Sequence, residues 1–276
     1  MITLTSLANG LCRLLMSTIL FMVAGCAVTP NSGDVEAVAE FVQVNDPFEP
    51  TNRSIFEANR ALDGAVLKPA ATAYKMVAPE FIQTRVSNIL SNLRSPVIFA
   101  NDVLQGEFKR AALTFLRFFI NSTIGVGGMN DMATAMEIEG HDEDFGQTLA
   151  VWGVSEGPFV MLPVFGPSNP RDTVGMVVDF FTDPLRLWAS NSERNYVPFL
   201  RAGVDAVDIR SRNLETLDDL EKSSLDFYAA IRSLYRQRRA DAISNGQGAA
   251  AVPAPGLGQL PGVPTLEAAD ELSRRK

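Results

Sequence analysis

The sequence predicts an all-α fold, with one short extended hairpin around residues 157–166 as the only departure. Three observations carry this reading. Apolar residues recur at helical spacing, alternating strand patterns are nearly absent, and Pro or Asx residues stand where helices would begin. The composition is globular, 46% hydrophobic and 20% charged over 276 residues, which is enough chain for a sizeable core. A net charge of −8 argues against nucleic acid as a partner, because phosphate binding needs a basic surface. His141 is the single histidine, so a multi-His metal site is excluded, and no metal ligand is assigned.

Residues 1–25 read as an address rather than structure. Arg13 precedes an apolar run over 14–24, which is shorter than the roughly 20 residues a membrane span needs and fits a secretory signal. The small residues Val23, Ala24 and Gly25 then lead into Cys26, an order that resembles the bacterial lipobox. In lipoproteins of that type the cysteine carries a diacylglycerol and an acyl chain, the only covalent group expected here; no other cofactor is. Cys12 leaves with the signal, so the mature chain keeps one cysteine and can form no internal disulfide. Ala27 after the cysteine resembles outer-membrane sorting, with the body on the periplasmic face. Residues 26–45 are then a lipidated tether and 46–244 the body. Residues 245–276, rich in Gly, Ala and Pro, read as a disordered tail.

Within the body, Pro79 suits a first helical position, followed by Ile82, Val86, Ile89 and Leu93, with Pro96 expected to end or kink that helix. Asn169-Pro170-Arg171-Asp172 is another start signal. From Pro198 onward, Leu200, Val204, Val207, Leu214, Leu217, Leu225, Tyr228, Ile231 and Leu234 among many charges predict one long amphipathic helix or two.

Two helices are patterned the wrong way round for an ordinary surface. Over 107–120 the polar Glu107, Arg110, Thr114 and Arg117 cover only about 80° of arc, and nearly everything else is apolar. Over 172–181 Asp172, Gly175 and Asp179 align, while Val174, Met176, Val177, Val178, Phe180 and Phe181 take the remaining surface. A helix apolar nearly all round is either central in a core or in contact with lipid. On the first reading Arg110 or Arg117 pairs with Asp172 or Asp179; on the second the narrow polar stripes line an internal wet path.

Motifs for catalysis are incomplete. Asp144-Phe145-Gly146 lacks every other kinase element, and Gly125-Val126-Gly127-Gly128 lacks the third glycine of a dinucleotide fingerprint and reads as a turn. His141-Asp142-Glu143-Asp144 has neither EF-hand spacing nor a nucleophile elbow, and reads as a solvated loop or a helix start. No catalytic residue is assigned and no enzyme is expected.

The body resembles the MlaA (VacJ) family of outer-membrane lipoproteins. The likeness begins at Asn45-Asp46-Pro47-Phe48-Glu49-Pro50-Thr51-Asn52-Arg53, with Phe48 where a Leu is more usual, and continues through Asn92-Leu93 and Leu104-Gln105-Gly106. It carries on in Arg117-Phe118, Asn121-Ser122-Thr123, Gly125, Gly128, Asp131 and Ala133. Then come Glu143-Asp144-Phe145-Gly146-Gln147-Thr148-Leu149, Trp152-Gly153, Gly157-Pro158-Phe159, Leu162-Pro163, Gly166-Pro167-Ser168 and Arg171-Asp172 with Gly175. The resemblance implies a ring of amphipathic helices around a central channel, seated in the inner leaflet of the outer membrane. It implies trimeric porins and a periplasmic lipid-binding chaperone of the Mla type as partners, and phospholipids as cargo. The function implied is removal of mislocalised phospholipids from the outer leaflet, keeping the membrane asymmetric. Candidate path residues are Arg110, Thr114, Arg117, Arg171, Asp172 and Asp179, the arginines because phosphate favours such donors. Gly157, Pro158, Pro163 and Gly166 mark either a gating hairpin or a rigid turn. The rival readings are a structural envelope tether and an envelope phospholipase.

Overall fold

Local chemistry sets most helix ends. The computed structural model describes residues 44–245; the signal, Cys26 and the tail from position 246 lie outside the described residues. Helix α1 (Glu49–Leu62) has Pro near its start and Glu49 in its first turn, and leads through a π-helical turn (Asp63–Leu67) into α2 (Lys68–Val77). Pro79 caps the long α3 (Glu80–Leu104), and α4 (Phe108–Thr123) follows Gly106. Asp131 caps the short α5 (Met132–Ala135) by accepting the Thr134 N–H, and Asp144 caps α6 (Phe145–Val151) by accepting the Gln147 N–H. Asn169 caps α7 (Pro170–Thr182), with Pro170 at its first position, and Asp183 caps α8 (Pro184–Asn191).

Two expectations are corrected. Pro96 does not end its helix: α3 runs through it to Leu104. Pro96 offers no N–H to the preceding turn, but buried Leu90 and Asn92 before it and Ile98, Asn101 and Asp102 after it hold both halves of the helix in place. The segment after Pro198 forms three helices, α9 (Val197–Arg212), α10 (Leu214–Ser223) and α11 (Phe227–Ile243). Asn213 ends the first, and Asp226 restarts the third by accepting the Ala229 N–H.

The hairpin is β1 (Val160–Leu162) paired antiparallel with β2 (Gly166–Ser168), Val160 opposite Ser168 and Leu162 opposite Gly166. Helix α1 holds it through two asparagines seven positions apart. The Asn52 amide donates to Phe159 O at 3.1 Å and accepts Met161 N at 2.9 Å, and Asn59 does the same with Leu162 O at 2.8 Å and Val164 N at 2.7 Å. Asn45, assigned from sequence to the tether, is tied into the body as well, accepting Phe159 N and donating to Gly157 O. At the tip Val164 has φ +70°, a conformation that costs a β-branched residue about 1–3 kcal/mol and that the Asn59 bond helps to hold.

The packing closes on itself. Helix α1 lies on β1, β2 on α11, α11 on α6, α6 on α3, α3 on α9, α9 on α2, and α2 returns through the π turn to α1. Helices α4 and α7 pack onto this circuit at α3 and α6, and α8 bridges α7 to α9. One small apolar cluster, Phe56, Phe159, Met161 and Tyr228, sits where α1, the hairpin and α11 meet. No described helix is long and apolar enough to cross a membrane.

Candidate functional site

The burial of this protein is inverted. Among the described residues the fully buried side chains include Asn52, Asn101, Asp102, Glu143, Thr148 and Asp208, and buried polar residues outnumber buried apolar ones. The outside carries the large hydrophobics. On α4, Phe108, Phe115 and Phe119 are 69%, 58% and 57% exposed, while Thr114 and Asn121 on the opposite face are buried. On α7, Val174, Val177, Phe180 and Phe181 are exposed, while Arg171, Asp172 and Gly175 are buried. Neither helix is central in a core, so the first of the two sequence readings is overturned. On α3 the apolar Ile82 is exposed and Asn92 and Asp102 are buried, again polar inward.

Polar groups this deep require partners, because an unpaired buried charge costs several kcal/mol. Arg110 does not meet Asp172 or Asp179. It donates to Glu143 at 2.7 Å and lies 3.8 Å from Asp102. Asp102 in turn accepts from Thr114 at 2.7 Å and contacts the His141 ring at 2.9 Å, and Gln105 donates to the second Glu143 oxygen at 2.8 Å. The 141–144 segment is therefore not simply a solvated loop: Glu143 is buried, and burial pushes its carboxyl up against the opposing Gln105 and Arg110. Asp102, His141 and Glu143 bring their ligand-type atoms within 4.8 Å of one another, and the two carboxylates share the guanidinium of Arg110. Sequence spacing did not reveal it, because Asp102 lies 39 residues from His141.

Arg117 likewise pairs locally, with Asp131 at 2.9 Å, and also donates to Thr134 and to the Ile138 carbonyl. Burial pushes the Asp131 carboxyl upward, but the Thr134 hydroxyl and N–H, Asn121 and Arg117 overcome it and hold it down at about 2. A carboxylate held below its unfolded value contributes stability that is present above the unfolded value and lost as pH falls through the folded one. The stability gap between the protein and Asp131→Asn should therefore narrow on acidification from about pH 5 to about pH 2. Chemical denaturation at several pH values checks this; a constant gap contradicts it.

A polar cavity of about 190 Å³ opens between α3 and α4. Asn88, Asn92 and Ser95 line it from α3, Thr114 and Arg117 from α4, and His141 and Asp142 from the following loop. Of the candidate path residues, only Thr114 and Arg117 line this cavity. Arg110 stands behind it, and Asp179 ties α7 to α6 and α3 by accepting Phe145 N at 2.8 Å and Asn101 Nδ2 at 3.2 Å. Arg171 and Asp172 belong to a separate clamp, where Arg239 of α11 joins the cap of α6 to the first turn of α7 by bonding Asp144 at 2.7 Å and Asp172 at 2.8 Å. All three candidate arginines are thus held by carboxylates of the protein itself. Of the α3 lining residues, Asn92 stands in the family resemblance alone, and the polar stripe Asn88, Asn92 and Ser95 shares its spacing of four and three with the apolar stripe of the same helix.

The sequence model of the MlaA lipoprotein family matches residues 44–242. The Haemophilus influenzae intermembrane phospholipid transport system lipoprotein MlaA is 33% identical over 230 residues, 82% of this chain and 87% of that one. Its Escherichia coli K12 namesake is 32% identical, covering 73% of this chain and 79% of that one. An uncharacterized protein of Rickettsia conorii is 35% identical over 72% of this chain and 78% of its own length. A solved structure described as the structural basis for maintenance of bacterial outer membrane lipid asymmetry superposes with a TM-score of 0.62 at 33% identity, over 72% of this chain and 99% of that one. With a helical ring, an inverted surface and these relatives, the chain belongs to the MlaA lipoprotein family.

Proposed function

We propose that this protein is an outer-membrane lipoprotein, anchored through Cys26, that removes mislocalised phospholipids from the outer leaflet and hands them to a periplasmic lipid-binding chaperone. The observation that carries the reading is the inverted burial: phenylalanines outside, amides and carboxylates inside. A head group crossing hydrocarbon meets a barrier of several kcal/mol, and a hydrated polar interior lowers it while the acyl chains stay against the apolar exterior. Moving a lipid this way breaks no covalent bond, so no nucleophile is needed. The apolar belt of α4 and α7 also fits a hydrophobic partner within the membrane, the place that the family resemblance gives to a trimeric porin. A tether alone has no use for a polar cavity beneath an apolar surface.

Deleting the gene should raise outer-leaflet phospholipid in intact cells. A plasmid copy should reverse the rise, and a Cys26→Ala copy should not. No rise on deletion, in cells shown to lack a second removal route, transfers the weight to the structural tether.

The hairpin acts as a fixed wall in this scheme rather than a gate, since Asn52 and Asn59 clasp four of its main-chain groups. An engineered cross-link between α1 and β1 should leave lipid removal at its normal level. Loss of removal in the cross-linked protein, restored on cleaving the link, makes the hairpin a gate.

A further inference from the structure

The cavity between α3 and α4 is short of free cations. Its one lining arginine, Arg117, is bonded to Asp131, Thr134 and Ile138 and is mostly buried. It is not short of acceptors. Asn92 is 7% exposed, donates its amide N–H to Ser122 at 3.0 Å, and leaves its Oδ1 buried with no partner. The Asp142 carboxylate, largely open, pairs with Arg94 at 3.8 Å, its one ion-pair partner among the described residues. Two further guanidinium groups stand at the rim rather than inside. Arg94 faces Asp142, and Arg85 shares the Met129 carbonyl with the lining residue Asn88, at 3.3 Å against 3.0 Å.

A ligand that completes this arrangement carries N–H donors and positive charge at its tip and negative charge one step behind. We infer that the cavity selects a phospholipid whose head group ends in a primary ammonium, the ammonium entering toward Asn92 and Asp142 and the phosphate resting at the rim beside Arg85 and Arg94. An anionic glycerol head group would face the open Asp142 carboxylate with no uncommitted cation inside. A trimethylammonium head group has the charge but no N–H for the Asn92 oxygen, so that buried acceptor stays unsatisfied. The selection rests on the lipid-carrying role proposed above and goes beyond it, since lipid removal by itself requires no preference among head groups.

The test is binding of three short-chain lipids with identical dihexanoyl tails, the phosphatidylethanolamine, phosphatidylglycerol and phosphatidylcholine forms, to the purified full-length lipoprotein. The ethanolamine lipid should bind about tenfold more tightly than either of the others, the worth of one charge-assisted hydrogen bond. Asp142→Asn, at an exposed position where folding is not at risk, should bring the ethanolamine and glycerol lipids to near parity. Equal binding of all three, or a preference that Asp142→Asn leaves intact, overturns the selection while the lipid-carrying role stands. If none of the three binds, the role itself falls and the selection with it.

Discussion

Replacing Asp172 with alanine should destabilise the fold by about 3–5 kcal/mol, the usual loss when one member of a buried ion pair is removed. Asp172 accepts from Arg171 at 3.0 Å, Arg239 at 2.8 Å, Tyr235 at 2.6 Å and Asn169 at 2.9 Å. Its removal leaves Arg171, itself buried, without its carboxylate, and leaves Arg239 to Asp144 alone. Burial pushes the Asp144 carboxyl up, but Arg239 outweighs it and holds the group below the usual carboxylate range, so this half of the clamp stays ionised. Adding Arg239→Met to Asp172→Ala should therefore be less damaging than the two single losses summed, because the second change removes a charge the first left underpaired. Denaturant unfolding of the single and double variants measures this. A single-variant loss under about 1 kcal/mol shows that water replaces the lost carboxylate.

The second large effect comes from Gly175→Ala, which should cost about 3 kcal/mol or more. A Cβ there would lie 2.2 Å from the Gly146 nitrogen and 2.6 Å from its Cα. Both are main-chain atoms, so no rotamer relieves the clash and α6 and α7 must separate. Separation also stretches the Asp179 bond to Phe145 N and the two-point grip of Arg239. Gly203→Ala is the matched control. It sits in α9 with nothing within 4 Å and no positive φ, and should stabilise by about 0.5–1 kcal/mol through helix propensity. If both glycine variants behave alike, the close approach of α6 and α7 does not contribute as described.

The two predictions share a cause. Helices α6 and α7 bring their N-terminal ends together, where both dipoles favour negative charge. Asp144 and Asp172 supply that charge, and one guanidinium from α11 balances both. Glycines at 146 and 175 let the backbones approach closely enough for a single arginine to reach. Each motif was visible in the sequence as a start signal or a glycine, but Arg239 lies 95 residues from Asp144 and nothing in its local pattern pointed there.

How far the sequence reaches can be followed element by element. The inverted stripes of α4 and α7 were legible because polarity at helical spacing is a local property, and their burial follows it. The hairpin and the Asn169 cap were legible for the same reason. Pro96 does not end its helix, because a local rule against proline gives way when both flanking turns are anchored by packing. The partition of the last helices misled because Asn213 and Asp226 are weaker signals than the apolar period that runs across them.

By itself, then, the sequence determined that the chain is helical, that its polar faces are narrow and its apolar faces wide, and that no complete catalytic motif accompanies them. Those properties are set by residues within about two helical turns of one another. Only the tertiary structure decided which charge meets which. Arg110 goes to Glu143 rather than to α7, Arg117 to Asp131, and Asp172 to Arg239. It also decided that Asn92 keeps an unpartnered oxygen at a cavity. The reason is that pairing between buried charges depends on distance through space, and in a ring closed by its last helix through the hairpin to its first, neighbours in space are far apart along the chain.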